Sequence, residues 1–359
     1  MINIGITCQL GRSVWSGSIK QSAVNLYDCL ERCGFKPFYL NNGINISDFK
    51  KDHQAYNVNE ILKDSFPKLD VIIMHGFSIP NTEMKLILEK HSQCKIILYH
   101  HGNRIAIDQH NLLQATNFQP RLNYLDEVWA PEHHGYSLQY IKAYHATDAT
   151  VKSIPYLWSP FFIDGVKEKK SLEFDPERKP QILVLEPNLN ASKTCLIPLL
   201  ICETFNRSFG KSCASFSFFN TDRIKINKGA KELISQFSVS EQEKIFLNKN
   251  WKTVDAIERL GQFVLSHQSE NELNYLYLEC LHLGLPLIHN SELIKEYGYF
   301  YNKYDIMTGA NQIYNSIINH TENLSYYKEE NRKLLAKFLP TNPKNINFFK
   351  KTISHLTKK

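Results

Sequence analysis

Apolar positions along the 359-residue chain follow two alternating periods. Ile2–Thr7 is a short apolar run that predicts a strand; Ser18–Cys33 carries apolar residues at helical spacing and stops at Gly34; Lys36–Leu40 predicts a second strand. The bare apolar run Asp70–Met74, a helical stretch from Thr82 to His91, and the runs Lys95–Tyr99 and Glu127–Ala130 continue the series. Strands alternating with helices predict a parallel sheet covered on both faces. The pattern breaks where Lys, Glu, Asp and Pro crowd Ile163–Lys179, then resumes. Gln181–Leu185, Ser215–Phe219, Lys244–Phe246 and Phe263–Ser266 predict strands, and Thr194–Phe205, Ala230–Phe237 and Thr253–Leu260 predict helices between them. The reading is an α/β protein of two Rossmann-like domains facing one cleft. Its parts are a first domain over 1–160, a linker over 161–180, a second domain over 181–322 and terminal helices over 323–359. Ligands of such sheets sit beyond the carboxyl ends of the strands.

The stretch 265–291 is the richest in chemistry. Ser269, Glu270, Asn271 and Glu272 stand where a helix is expected to begin, with Ser269 or Asn271 as its cap. The N–H groups at 271–274, including those of Leu273 and Asn274, would then face an anion such as a diphosphate. Leu273, Leu276, Leu278 and Leu281 form the apolar face, Gly284 and Pro286 the stop, and Leu285–His289 a buried strand. An ordinary helix–turn–strand unit with a polar cap is the competing account. The other expected strand ends carry polar or small residues as well: Arg12 and Gly17 after the first, His75 after the third, and His100, His101 and Arg104 after the fourth. Gly11 and Gly17 allow backbone to approach a ligand, without forming a dinucleotide fingerprint.

Composition narrows the class. Hydrophobic residues make up 43% and charged residues 22% of the chain, values that point to a folded protein. The N-terminus starts on a strand without signal-peptide features, and no apolar run approaches the roughly 20 residues of a membrane span. A cytoplasmic protein is expected. The net charge of +6 is concentrated between Asn323 and Lys359, where nine Lys or Arg face two Asp or Glu. Solvated helix faces are the favoured reading of that tail over a nucleic-acid or membrane patch. The eight cysteines contain no CxxC pair and read as buried thiols. Adjacent histidines at 100–101 and 133–134 point to opposite faces of a strand and do not chelate easily, so no metal is expected.

The residues at this point carry a resemblance. Glu279-Cys-Leu-His-Leu-Gly-Leu-Pro-Leu-Ile-His289 resembles a donor-domain segment of GT-B glycosyltransferases, which implies that Glu279 holds the ribose of a nucleotide. Glu186-Pro-Asn188-Leu-Asn190-Ala-Ser192-Lys193 resembles the place where that superfamily puts a basic pair for the donor diphosphate; Lys193 matches and Asn188 replaces the usual arginine. Over its full length the chain is similar to an uncharacterised GT-B-like family of bacteria and phages. That similarity rests on Ser13-Val-Trp15-Ser-Gly17, Leu185-Glu-Pro-Asn188, His267-Gln and His289-Asn-Ser291, among others. It departs from retaining enzymes at Asn271, where they place a carboxylate; Glu270 and Glu272 flank it.

The resemblance implies a metal-independent transfer of a sugar from a nucleoside diphosphate, UDP above others, to an acceptor hydroxyl of a surface-glycan precursor. No cofactor is expected besides the donor substrate. Lys193, assisted by Arg12, is expected at the diphosphate, with Gly17, Asn188, His267, Glu270, Asn271, Glu272, Leu273, Asn274 and Glu279 around the donor. The competing reading of Lys193 is an exposed lysine near a helix start. His101 resembles the histidine that contacts the sugar, and Asp108 and His75 are further base candidates. Trp15 and Tyr299 are candidates for stacking on a sugar or base. Two alternatives remain: a phage-type enzyme glycosylating a hydroxylated or hydroxymethylated cytosine in double-stranded DNA, and a GT-B-shaped binding protein without turnover.

Overall fold

The computed structural model describes residues 1–10, 18–43, 52–114, 116, 118–209 and 215–358. The chain divides into one unit of Met1–Ser159 with Ala336–Lys359, and a second of Pro160–Leu335.

The first unit runs β1 (Asn3–Thr7), α1 (Ser18–Arg32), β2 (Lys36–Asn41), β3 (Ala55–Asn57), β4 (Val71–Met74), α2 (Asn81–Lys90), β5 (Lys95–Tyr99), α3 (Arg104–Leu113), β6 (Glu127–Pro131), α4 (Leu138–His145) and β7 (Thr150–Ile154). Its seven strands are all parallel, in the order β3-β2-β1-β4-β5-β6-β7. The central strands are buried on both faces, as their continuous apolar runs require: every residue of Val71–Met74 is buried.

The second unit runs α5 (Phe161–Lys167), β8 (Gln181–Val184), α6 (Leu196–Phe209), β9 (Ser215–Phe218), α7 (Asp222–Ile226), α8 (Lys228–Ser235), α9 (Ser238–Glu241), β10 (Ile245–Leu247), α10 (Thr253–Arg259), β11 (Phe263–Leu265), α11 (Tyr275–Leu283), β12 (Leu287–His289), β13 (Tyr299–Phe300) and α12 (Ile306–Leu335). Its sheet is again wholly parallel, in the order β10-β9-β8-β11-β12-β13. The last helix, α13 (Pro343–Lys358), belongs to the first unit, where Phe349 is buried against Trp129 with ring centroids 5.9 Å apart.

Both sheets reverse their strand order once, between β1 and β4 in one unit and between β8 and β11 in the other. At such a switch point the loops leaving neighbouring strands diverge to opposite faces and leave a crevice at the carboxyl ends. That geometry selects the two places where chemistry is to be sought.

Close packing at the foot of the second switch point depends on Gly261. A Cβ there would lie 2.6 Å from Gln181 O and 2.9 Å from Gln181 Cβ. Replacing it with alanine forces β8 and β11 apart, and Gly261→Ala is expected to destabilise the protein by about 1–3 kcal/mol in denaturant unfolding.

Several elements differ from the sequence reading. The stretch expected as linker contains α5, and Ile163 and Leu172 within it are buried. Asn323 does not open a helix, because α12 is one continuous helix of 30 residues. Helix α3 was not anticipated; it is nucleated by Asn103, whose side chain accepts from Ala106 N at 2.9 Å. Among the described residues no helix is long and apolar enough to cross a membrane.

Candidate functional site

The second switch point is built around a carboxylate. Val184 ends β8, and two residues later Glu186 is buried, 1% exposed. From the adjacent strand, β11, the chain passes directly into Ser266, His267 and Gln268, all buried. Ser266 Oγ donates to Glu186 Oε1, His267 N donates to the same oxygen at 3.2 Å, and Gln268 Nε2 donates to Oε2 at 3.2 Å. Tyr277 of α11 lies 3.0 Å from Ser266 Oγ; with the serine proton directed at Glu186, the phenol is the donor. The carboxylate thus ties the ends of the two strands that flank the crevice.

A buried charge needs a partner. The cation acting on Glu186 is Lys193, from the loop between β8 and α6. Burial pushes the Glu186 carboxyl up to about 7, with its hydrogen bonds and the Lys193 charge opposing the rise. Burial pulls the half-buried Lys193 ammonium down, and Glu186 pulls it back up. No direct hydrogen bond or ion pair within 4 Å engages that ammonium among the described residues. It faces the carboxylate's field without being consumed by it.

His267 is turned by Tyr301. The Tyr301 hydroxyl donates to Ser266 O at 3.1 Å, so it accepts from His267 Nδ1 at 3.1 Å. This tautomer leaves Nε2 as a bare acceptor, and Nε2 is buried without a partner. Burial holds the ring's pKa down at about 4, so the imidazole is neutral at physiological pH.

The rest of the 265–291 stretch is rearranged relative to expectation. Helix α11 starts at Tyr275 and its cap is Asn274, whose side chain accepts from Tyr277 N at 3.0 Å. Residues 271–274 therefore precede the helix. Asn271 is buried and donates from its side-chain amide to Gln268 Oε1, which extends the network behind Glu186. Gln268 is clasped in turn by Asn290: its N–H donates to Asn290 Oδ1 and its carbonyl accepts from Asn290 Nδ2, each at 3.0 Å. Glu270 is exposed at φ 52, a left-handed bend. The Glu272 carboxylate is occupied by Glu292 N at 2.7 Å and Leu293 N at 3.4 Å, where it caps the turn at 292–294. Leu273 is core, and Glu279 is buried on α11. The helix ends at Gly284 in the left-handed region, φ 70, as its sequence position predicts. His289 is likewise consumed, accepting from Ser291 N at 3.1 Å and donating to Tyr297 O at 2.7 Å.

Asn188 is a clasp. It adopts φ 51; its amide nitrogen donates to Phe219 O at 3.1 Å and to Glu186 O and Asn220 O at 3.3 Å, and its oxygen accepts from Cys195 N at 2.8 Å. All its polar atoms serve the β8–α6 loop and the loop after β9. Beside it opens a cavity of about 270 Å³ lined by Cys195, Leu199, Arg223, Ile234 and Leu247, among others.

At the first switch point, His75 follows β4 and His101 lies two residues beyond β5. Their rings meet edge to face with centroids 4.2 Å apart, and His101 stacks on Tyr99 at 4.3 Å. His75 Nε2 sits 3.1 Å from Ser22 Oγ, while His75 Nδ1 and His101 Nε2 are buried without partners. Burial holds His101 at about 3 and His75 well below its ordinary value, so both are neutral acceptors or donors for hydroxyl groups. His100 turns to the other side, toward His145. Asp108 is ion-paired: Arg104 Nε donates to Oδ2 at 2.7 Å, Arg104 Nη2 is 2.7 Å from Oδ1, and Tyr140 OH donates to Oδ2 at 2.9 Å. Arg104 thus engages both oxygens of the carboxylate, whereas His75 and His101 each keep a ring nitrogen without a partner. Arg12, Trp15 and Gly17 lie outside the described residues. Among the described residues no group of three or more His, Cys, Asp or Glu is arranged to hold a metal ion.

Glu186 and Ser266 went unrecognised in the sequence as partners. The available signal was an acidic residue directly after the apolar run Ile182–Leu185, at the end of a parallel strand whose pattern implies burial on both faces.

Solved structures similar to this chain cover it fully. The pneumococcal O-GlcNAc transferase, solved in complex with UDP and GlcNAc, matches with a TM-score of 0.58 at 10% identity, covering 100% of this chain and 99% of that one. A glycosyltransferase from Rickettsia africae matches at 0.59 and 12% identity, covering 100% and 99%. An alpha-glucosyltransferase in complex with UDP and a 13-mer DNA containing an HMU base matches at 0.58 and 12% identity, covering 100% of both chains. At such identities the likeness is one of fold, and it places the two Rossmann-like units in the GT-B class. No curated protein sequence matches. Residues 2–353 match the family described as "Protein of unknown function (DUF2827)", and the chain belongs to that family.

Proposed function

We propose that this protein is a glycosyltransferase that takes its sugar from a nucleoside diphosphate, with a UDP-sugar as the favoured donor, and passes it to an acceptor hydroxyl. The observation that carries the reading is the Lys193 ammonium, half-buried at the β8–β11 switch point without a direct counter-ion among the described residues. A lysine so placed is an anion receptor, and a diphosphate supplies the anion. Glycosyl transfer requires that the departing diphosphate be stabilised as negative charge builds on it, and a preorganised cation does this without reorganisation. His267 Nε2 offers an acceptor to a donor hydroxyl. In the first unit, the unpartnered nitrogens of His75 and His101 are suited to a sugar hydroxyl or to relaying its proton.

The fold neighbours support the reading because structures of two of them contain UDP. A surface-glycan precursor is the acceptor we favour. DNA is the second reading, and its support is the likeness to a DNA-bound alpha-glucosyltransferase together with the basic C-terminal stretch. Titration calorimetry with UDP-, GDP-, ADP- and TDP-glucose tests the donor claim: one of them is expected to bind with micromolar affinity, and absence of binding by all four would overturn it. Product analysis with oligosaccharide and with hydroxymethylated duplex DNA then separates the acceptors.

A further inference from the structure

Glu186 has no part in the binding just described, and its surroundings give it one. It is a carboxylate at 1% exposure whose oxygens accept three hydrogen bonds from the loop after β11, and the cation that compensates it is the same Lys193 to which we assign the donor diphosphate. The two anions compete for one ammonium. A diphosphate that engages Lys193 cancels the field that favours the ionised form of Glu186 and adds negative charge of its own nearby. A buried carboxylate that loses its counter-ion is expected to neutralise.

We propose that Glu186 is the resting counter-ion of Lys193 and takes up a proton from solvent when a nucleoside diphosphate claims that ammonium. The proton forms an O–H bond on a Glu186 oxygen; no other bond is made or broken. The network accommodates the change by rotation of hydroxyl groups, since Ser266 Oγ can accept from a protonated Glu186 as readily as it donates to an ionised one.

The other groups around Glu186 do not titrate near neutrality. Burial keeps the Tyr277 and Tyr301 phenols protonated well above their ordinary range, and burial together with Glu186 pushes the Cys195 thiol up to about 12. His267 is neutral, with its pKa near 4. Among the described residues named here, Glu186, near 7 in the resting site, and Lys193 remain. Binding raises the carboxyl pKa, so donor affinity is full below pH 7 and falls as pH rises above it, by up to roughly tenfold per pH unit until the bound-state pKa is passed.

The inference rests on the donor reading, and calorimetry separates the two. The donor sugar nucleotide that binds in the four-member panel is titrated at pH 8 in buffers of different ionisation enthalpy. Its diphosphate does not itself titrate there. The wild-type protein is expected to take up roughly half to one proton per donor bound. Glu186→Gln is expected to abolish the uptake and to flatten the pH dependence of affinity above pH 7. Binding without proton uptake by the wild type overturns this inference and leaves the donor reading intact. Uptake that persists in Glu186→Gln assigns the proton to Lys193 and overturns it as well. No binding by any of the four nucleotides removes both readings together. Because Glu186→Gln perturbs a buried network, an infrared difference spectrum of the wild type provides an independent check: donor binding is expected to produce the carbonyl band of a protonated carboxyl, and its absence contradicts the proposal.

Discussion

Lys193→Ala is expected to weaken donor binding by about 2–4 kcal/mol, or roughly 30- to 1,000-fold in Kd. The ammonium has no direct ion pair among the described residues, so its removal deletes the attraction for the diphosphate without replacing it. The fold is expected to tolerate the change. Glu186, left without its counter-ion, can neutralise by binding a proton, since its carboxyl already titrates near 7. The expected pattern in calorimetry and thermal unfolding is therefore a large loss of affinity with a small shift in Tm. A large fall in Tm with affinity intact in the remaining folded protein would show that Lys193 is a structural counter-ion only.

Asn188→Ala is expected to show the opposite pattern. The side chain spans three carbonyls and the Cys195 N–H from a left-handed backbone position. Its loss leaves partly buried polar groups unsatisfied and places alanine where φ is positive, which together cost about 2–4 kcal/mol of stability. Asn188→Gly loses the same hydrogen bonds but accepts the backbone conformation, so it is expected to be less destabilised than the alanine variant. Equal effects of the two would remove the backbone component. A loss of donor affinity with stability unchanged in both would return Asn188 to the donor-binding role that the sequence resemblance implied.

The strand and helix order was largely legible because parallel strands are buried on both faces and announce themselves as apolar runs. Val71–Met74, Lys95–Tyr99 and Ile182–Val184 need no tertiary information to be recognised. Short edge strands do: Tyr299–Phe300 pairs only at two positions, and its residues are half-buried. The end of α11 was legible as well. Gly284 and Pro286 mark the end of α11 through local backbone chemistry, and the structure keeps that end. The start of α11 was misplaced because Ser269 and Asn271 are both good caps by composition, and the choice among the polar residues of this stretch is tertiary. Glu272 is drawn off to cap residues 292–293, Asn271 to bond Gln268, and Asn274 is left to cap the helix. Glu186 was missed for a related reason. Its role exists only because β8 and β11, 80 residues apart at Glu186 and Ser266, are neighbours in the sheet.

A nucleoside diphosphate is expected to sit at the β8–β11 switch point on Lys193. A crystal structure of the protein with the donor selected by calorimetry tests it most directly. Diphosphate oxygens are expected within hydrogen-bonding distance of Lys193 Nζ, at the carboxyl ends of β8 and β11. A donor bound elsewhere in the protein, with Lys193 turned away from its phosphates, would contradict it.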